Sequence, residues 1–293
     1  LVEILKIGKF GSAAAEALKS TILVYDAFNE IFDLSKNNEN AKDIIHSWAE
    51  AEWFKNKPSL ANEIPLTVYK VSGETNTDDF SPAKEAWSRP DIPLHAQAFL
   101  KFSENMESPL EKLEELKQDG SKLVFVGDVV GTGSSRKSAA NSMLWHMGQD
   151  IPCVPAKRTG GFCFGNKIAP IFFNTLQDSG ALPIELDVDN LDHGKKIILK
   201  PYDGQVLDAD TLDVISTFEF KSDVIFDEVQ AGGRINLIIG RQLTDKTREK
   251  LDLPPSDVFR RYGDSETSQK GYTLAQKMVG KACGMSGVRA GQY

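Results

Sequence analysis

The sequence predicts a mixed α/β sandwich with a small helical hairpin at its front. Residues 122–130 read as a buried strand that passes through a glycine turn into 139–145, which reads as a helix. Residues 13–35 and 40–54 carry apolar side chains at intervals of three and four, the spacing of amphipathic helices. After Pro183, short apolar or alternating runs punctuated by Asp203-Gly204 and Gly232-Gly233 read as strands.

In order, Leu18, Ile22, Tyr25, Phe28 and Phe32 mark the first helix. Ile44, Ile45, Trp48 and Ala51 mark the second, with a turn at Asn37-Asn38. A boundary falls between Lys57-Pro58 and Pro65, and 66–71 alternates as a strand. Residues 78–94 are rich in proline and acid and read as an ordered loop; 93–103 and 107–119 read as helices. After the central strand, turn and helix, 151–166 with Gly160-Gly161 and Gly165 reads as a flexible loop. Residues 168–175 read as part of a helix, and 196–199, 214–220 and 235–240 as strands. The last helices are expected at 244–251 and 271–282, before a tether marked by Gly284, Gly287 and Gly291.

The 293 residues are enough to bury a large core in one big domain or two. A net charge of −8 argues against general affinity for nucleic acid, which depends on a basic surface. The basic excess of 245–293 reads as a solvated helical face. Cys153, Cys163 and Cys283 are too few and too widely spaced for a disulfide framework, and their odd number suits a reducing cytoplasm. No Cys-x-x-Cys pair is present, so no iron–sulfur ligand set is expected here, and no metal site. His46, His95, His146 and His193 have no ligand spacing and read as structural or exposed. The start at Leu1 favours a piece of a longer polypeptide, and no secretion signal or membrane-spanning run is found.

The chemistry concentrates in Gly131-Thr132-Gly133-Ser134-Ser135-Arg136-Lys137-Ser138. A glycine turn between a strand end and a helix start leaves backbone N–H groups free to attract an anion. Two serine hydroxyls and a guanidinium share the turn. It is not a P-loop, because Arg136 stands where the second glycine belongs, and a dinucleotide fingerprint fails at the same position. Read by itself, the turn fits equally a helix entry whose serines cap backbone N–H groups.

Gly-Thr-Gly-Ser-Ser-Arg resembles the signature loop in the swivel domain of aconitases and isopropylmalate isomerases. Thr75-Asn-Thr-Asp78-Asp79-Phe80-Ser81-Pro82-Ala83 resembles the motif that opens that domain. Lys167-Ile-Ala-Pro-Ile-Phe-Phe-Asn174, followed by Gly180-Ala-Leu-Pro183, resembles a third. Trp87-Ser-Arg-Pro-Asp-Ile-Pro-Leu-His95 and Trp48-Ala-Glu-Ala-Glu-Trp53 narrow the resemblance to the bacterial aconitase B family.

The resemblance implies residues 1–60 as the end of a helical, HEAT-like domain. It implies 61–283 as an aconitase-type swivel domain and 284–293 as the start of a linker. It makes Ser134 the catalytic base, with Ser135, Arg136, Arg89, Asp78 and Ser81 binding substrate. Nothing is carried over for Asp79, which replaces a common histidine; Lys157 and Arg158 are further cations beside a second glycine loop.

The whole protein is then expected to be a hydro-lyase of the tricarboxylic acid cycle. It would interconvert citrate and isocitrate through cis-aconitate, and the resemblance also allows 2-methylisocitrate. Its [4Fe–4S] cluster would be held by residues outside this chain, which alone is expected to be inactive. The expected partners are the tricarboxylate, the cluster-bearing domains of the same polypeptide and, for the cluster-free whole protein, messenger RNA. Two alternatives stand beside this reading: a free-standing small subunit of an isopropylmalate-isomerase type enzyme, and a regulatory RNA-binding module.

Overall fold

A mixed seven-stranded sheet organises the computed structural model, which describes residues 1–24, 27–118, 120–260 and 270–289. The helical front consists of α1 (Val2–Leu5), α2 (Gly11–Ser20), α3 (Phe28–Leu34), α4 (Glu39–Ala49) and α5 (Glu52–Lys55). Each predicted helix is therefore broken in two. The first stops because Ser20 and Thr21 both turn their hydroxyls onto the Ala17 carbonyl, at 3.0 and 2.8 Å, and Thr21 becomes extended. The second breaks at Ala51, which is left-handed at φ 54°. Tyr25 lies outside the described residues.

β1 (Ile64–Asn76) runs directly into the short α6 (Thr77–Phe80). A 3-10 segment (Ala83–Ser88), α7 (Ile92–His95) and a second 3-10 turn (Ala96–Ala98) follow, so the predicted loop is a train of helical turns. The helix expected over 93–103 ends early, where Leu100 adopts φ 55° and its N–H bonds the Asp79 carbonyl at 2.8 Å. Then come α8 (Pro109–Lys117), β2 (Leu123–Thr132) and α9 (Arg136–Met147). The predicted flexible loop is instead β3 (Gln149–Ile151), β4 (Val154–Thr159) and the first part of β5 (Phe162–Ile168). α10 (Pro170–Asp178), β6 (Leu182–Glu185), β7 (Lys196–Lys200), β8 (Gln205–Asp208) and β9 (Val214–Thr217) complete the strands.

The chain closes with α11 (Val224–Ala231), α12 (Arg234–Lys250) and α13 (Leu274–Ala282). The strand expected at 235–240 is the first half of α12. Its buried residues Leu237, Gly240, Leu243, Thr244 and Thr247 recur at helical spacing, which places the apolar run on one helix face. Gly232-Gly233 accordingly joins two helices. Of the three tether glycines, Gly287 packs backbone to backbone against Gly280 of α13, and Gly291 lies outside the described residues.

The strand order is β6-β5-β2-β1-β7-β8-β9. The first four strands are mutually parallel, and β7, β8 and β9 are added antiparallel. β2 shows why the centre is stable. Leu123 and Phe125 enter the core beneath α9 and α10, while Val124 and Val126 enter the core on the opposite face. A strand buried on both faces reads as a continuous apolar run, as this one does. Residues 1–49 have their own core around Phe28, Ile31, Ile44 and Trp48, which takes in Leu243 of α12. Trp53 donates to Thr244 Oγ1 at 3.1 Å, Thr244 donates to the Trp48 carbonyl at 2.9 Å, and the Trp53 ring lies against Gly240. Among the described residues, no helix is long and apolar enough to cross a membrane.

Candidate functional site

The site is built on the carboxyl ends of two parallel neighbours. β1 and β2 finish side by side, Asn76 opposite Thr132; β1 passes at once into α6, and β2 passes through the turn of residues 133–135 into α9. In open α/β sheets this is where ligands collect. The β2 exit needs its glycines. Gly131 has φ +81°, and a Cβ there would strike the Phe172 ring of α10. Gly133 has φ +101°, and a Cβ there would lie 2.7 Å from Thr77 Oγ1. Removal of the side chains lets the turn lie directly on α6.

At the β1 exit, Asn76 performs the capping. Its side-chain oxygen accepts from Asp78 N at 2.7 Å and Asp79 N at 3.1 Å, and Asp79 returns a bond to Asn76 N at 2.7 Å. Burial holds the Asp79 carboxyl above its usual range. Asp78 is thereby left for tertiary contacts. Its Oδ1 accepts from Ser135 Oγ at 2.9 Å and lies 4.0 Å from Arg89 Nη2.

Arg89 ties the loops together. Its Nε donates to Ser81 Oγ at 3.1 Å, and its Nη2 donates to the Ser81 carbonyl at 3.0 Å and to Ser135 Oγ at 3.1 Å. Ser81 is fully buried and also bonds Ser138 Oγ at 2.7 Å. The Ser135 N–H donates to Thr77 Oγ1 at 3.1 Å. Asp78, Ser81, Arg89 and Ser135 thus form one hydrogen-bonded unit drawn from three separate segments.

Ser134 and Arg136 are different. They flank Ser135 at the start of α9, and among the described residues neither side chain makes a hydrogen bond or ion pair. Ser134 is exposed and Arg136 half-buried. Ser135 begins α9 without capping it through its side chain, so the first backbone N–H groups of a twelve-residue helix receive no serine oxygen. A helix start of this kind is electropositive. Arg158, one of the two cations beside the second glycine loop, is committed elsewhere. It bonds Asp150 and the Trp145 carbonyl and lies over the Trp145 ring.

Sequence reading missed His95. Its ring is 2% exposed, with Nε2 2.7 Å from Ser81 Oγ and Nδ1 2.8 Å from Ser88 Oγ. Burial, then the Arg89 charge, lowers its pKa. No ligand motif includes it, and its partner Ser81 is fourteen residues away. His146 is also buried, bonds the Ala96 carbonyl at 2.9 Å, and is pushed down to about 4 by burial.

An iron–sulfur cluster finds no home among the described residues. Cys163 is buried with its thiol pushed far up by burial, Cys153 and Cys283 are exposed, and no three His, Cys, Asp or Glu residues converge as metal ligands.

A parallel-strand platform carrying a glycine turn, a free serine and a free arginine defines a candidate acid–base and carboxylate-binding surface. The chain belongs to the family described as the aconitate hydratase 2 N-terminus, whose model matches residues 66–272. A second family model, the aconitate B N-terminal domain, matches residues 1–54. Aconitate hydratase B of Escherichia coli is 56% identical over 302 residues, covering 100% of this chain and 35% of that protein. The Pseudomonas aeruginosa protein of the same name is 54% identical over 305 residues, with the same coverage. That of Helicobacter pylori is 52% identical over 280 residues, covering 96% of this chain and 32% of its own length. The chain therefore spans about a third of the length of these curated relatives. Among solved structures, a 3-isopropylmalate dehydratase from Methanocaldococcus jannaschii aligns with 64% of this chain and 99% of its own, at 17% identity and a TM-score of 0.47.

Proposed function

We propose that this chain is the part of an aconitate hydratase that supplies the proton-transferring serine and the carboxylate-binding arginines. The whole enzyme would interconvert citrate and isocitrate through cis-aconitate in the tricarboxylic acid cycle, with 2-methylisocitrate, a tricarboxylate larger by one methyl group, as a second substrate. One observation carries the reading. Ser134 and Arg136, at the uncapped start of α9, are free, while the residues around them are bonded into a brace.

Ser134 is the base in this reading. A serine removes a proton from carbon poorly unless its alkoxide is stabilised. The α9 N-terminus and the Arg136 guanidinium place positive charge beside that oxygen at no cost in reorganisation. Arg136 and Arg89 suit two carboxylates of a tricarboxylate, because a guanidinium grips a carboxylate through a planar fork. Asp78, Ser81 and Ser135 fix Arg89 rather than react.

The [4Fe–4S] cluster belongs to other residues of a longer polypeptide, whose domains would form the facing wall of the site. The described residues offer it no ligand set. Three unpaired thiols suit a reducing cytoplasm. The 293 residues stand at about a third of the relatives' length, which favours a segment of a large enzyme over a free-standing small subunit.

The test is Ser134→Ala in the full-length protein. The expected result is a kcat lower by roughly 10²–10⁴ with a smaller change in KM, the range for losing a positioned acid–base group. A kcat near that of the unsubstituted enzyme would return Ser134 to the role of a loop residue.

A further inference from the structure

We infer that His95 is a positioning residue, whose neutral imidazole holds the Ser81 oxygen and thereby sets the place of the Arg89 guanidinium. This rests on the reading of Arg89 as a carboxylate-binding residue. The protons along the buried chain that runs through His95 can be counted.

The chain runs between two carbonyls. Ser135 O lies 3.1 Å from Ser138 Oγ, which lies 2.7 Å from Ser81 Oγ, which lies 2.7 Å from His95 Nε2. On the far side, His95 Nδ1 lies 2.8 Å from Ser88 Oγ, which lies 2.8 Å from the Glu85 carbonyl. These five contacts need five protons. Three serines and a neutral imidazole supply four.

The longest contact, Ser138 to Ser135 O, is the one to go without, since that carbonyl keeps the Ala139 N–H at 3.0 Å. The remaining directions are then fixed. His95 Nδ1–H donates to Ser88, and Ser88 donates to the Glu85 carbonyl. Ser81 donates to His95 Nε2 and turns its lone pairs to Ser138 and to Arg89 Nε.

Protonation of His95 supplies the fifth proton but reverses Ser81. Its oxygen must then accept from two cations at once, the imidazolium at 2.7 Å and the guanidinium at 3.1 Å. The titratable groups on the elements packed around α7 are Lys84 and Glu85 on the 3-10 segment, Arg136, Lys137 and His146 on α9, and Lys157 and Arg158 on β4. Arg89 and Glu85 are the ones whose charges act on His95. Arg89 opposes its protonation and Glu85 favours it, but burial and Arg89 prevail, and the pKa lies below that of a free histidine. Near neutral pH the chain therefore runs in the direction that favours Arg89. Acid reverses it, loosening Arg89 from Ser81 and Ser135.

Two readouts test this. In the 293-residue chain, nitrogen NMR of the His95 ring at pH 7.5 is expected to show Nδ1 protonated and Nε2 bare. The Arg89 Nε–H signal is expected to be sharp, and lost in His95→Leu. In the full-length enzyme, His95→Leu is expected to raise the tricarboxylate KM by about tenfold with kcat changed by less than about threefold. His95→Gln, whose amide oxygen can accept the Ser81 hydroxyl, is expected to restore KM to within about threefold at pH 8. The unsubstituted enzyme should show a steeper rise of KM in acid than His95→Gln, a difference that cancels the titration of the substrate itself. An Nε2–H tautomer at pH 7.5, an Arg89 signal indifferent to His95→Leu, or parallel KM profiles for the two enzymes would overturn the inference. If the unsubstituted full-length protein turned over no tricarboxylate, the proposed function would fall, and the two NMR signals would still decide the role of His95.

Discussion

Arg89 Nη2 donates to Ser135 Oγ at 3.1 Å, joining residues forty-six positions apart in the chain. The same hydroxyl donates to Asp78 Oδ1 at 2.9 Å, so a single serine is clamped between a cation and an anion. Such a clamp fixes the loop on either side of Ser135 without using the side chains of Ser134 and Arg136. The free groups of the turn are therefore held at the backbone, which leaves them available and already placed.

Arg136→Lys keeps the positive charge and removes the planar fork. In the full-length enzyme, kcat/KM for the tricarboxylate is expected to fall by about tenfold or more, because an ammonium cannot repeat a two-point grip. Steady-state kinetics with citrate and with isocitrate measure it. An unchanged kcat/KM would show that Arg136 contributes only diffuse charge.

Gly131→Ala is expected to destabilise the fold by about 3 kcal/mol, since the new methyl meets the Phe172 ring and the backbone stays at positive φ. Gly120→Ala serves as the control. It has φ +77° but nothing within 4 Å of the added carbon, so only the backbone strain should register. Urea unfolding of the two variants separates crowding from strain, and equal losses would remove Phe172 from the explanation.

His146 links stability to pH. Its folded pKa of about 4 lies below the 6.5 of an exposed histidine, so the unfolded chain binds the proton first as pH falls. The stabilising effect of the neutral ring is complete above pH 6.5 and is lost on the way down to about 4. At pH 5 the loss is about 2 kcal/mol. His146→Gln should retain a bond to the Ala96 carbonyl and lack this titration. The stability gap between the two proteins should therefore shift by about that amount between pH 7.5 and pH 5. A constant gap would mean that the ring is charged or exposed in the folded state.

The centre of the fold was legible because several signals agreed there. The run 123–127 carries no polar side chain, as a strand covered on both faces must not, and the glycines at 131 and 133 beyond it sit at positive φ. Other segments carried conflicting signals. Ile235 to Ile239 offered four apolar residues in five, which a short window cannot assign between strand and helix. The answer lay in the wider spacing through Leu243 and Thr247. Gly160 and Gly161 do turn the chain, at φ +77° and +83°, but they link two strands where the sequence suggested one long loop. At the site, the motifs identified the ends of β1 and β2, while His95 stayed hidden. A single histidine has no pattern of its own, and its meaning here comes from two serines that only the folded chain brings to its ring.

Trp53 resting on Gly240, with Thr244 bonded to both Trp53 and Trp48, has a consequence for the life of the chain before it is folded. The helices at the front emerge from the ribosome nearly two hundred residues before the helix that covers them. Until α12 arrives, the Trp53 indole and the edge of the front core face water, and closure must cross a long stretch of chain. Bulk is forbidden at Gly240 because an added Cβ would strike the Trp53 ring. A larger residue there would hold α12 off the front helices and leave that seam of the nascent chain open to chaperones and proteases.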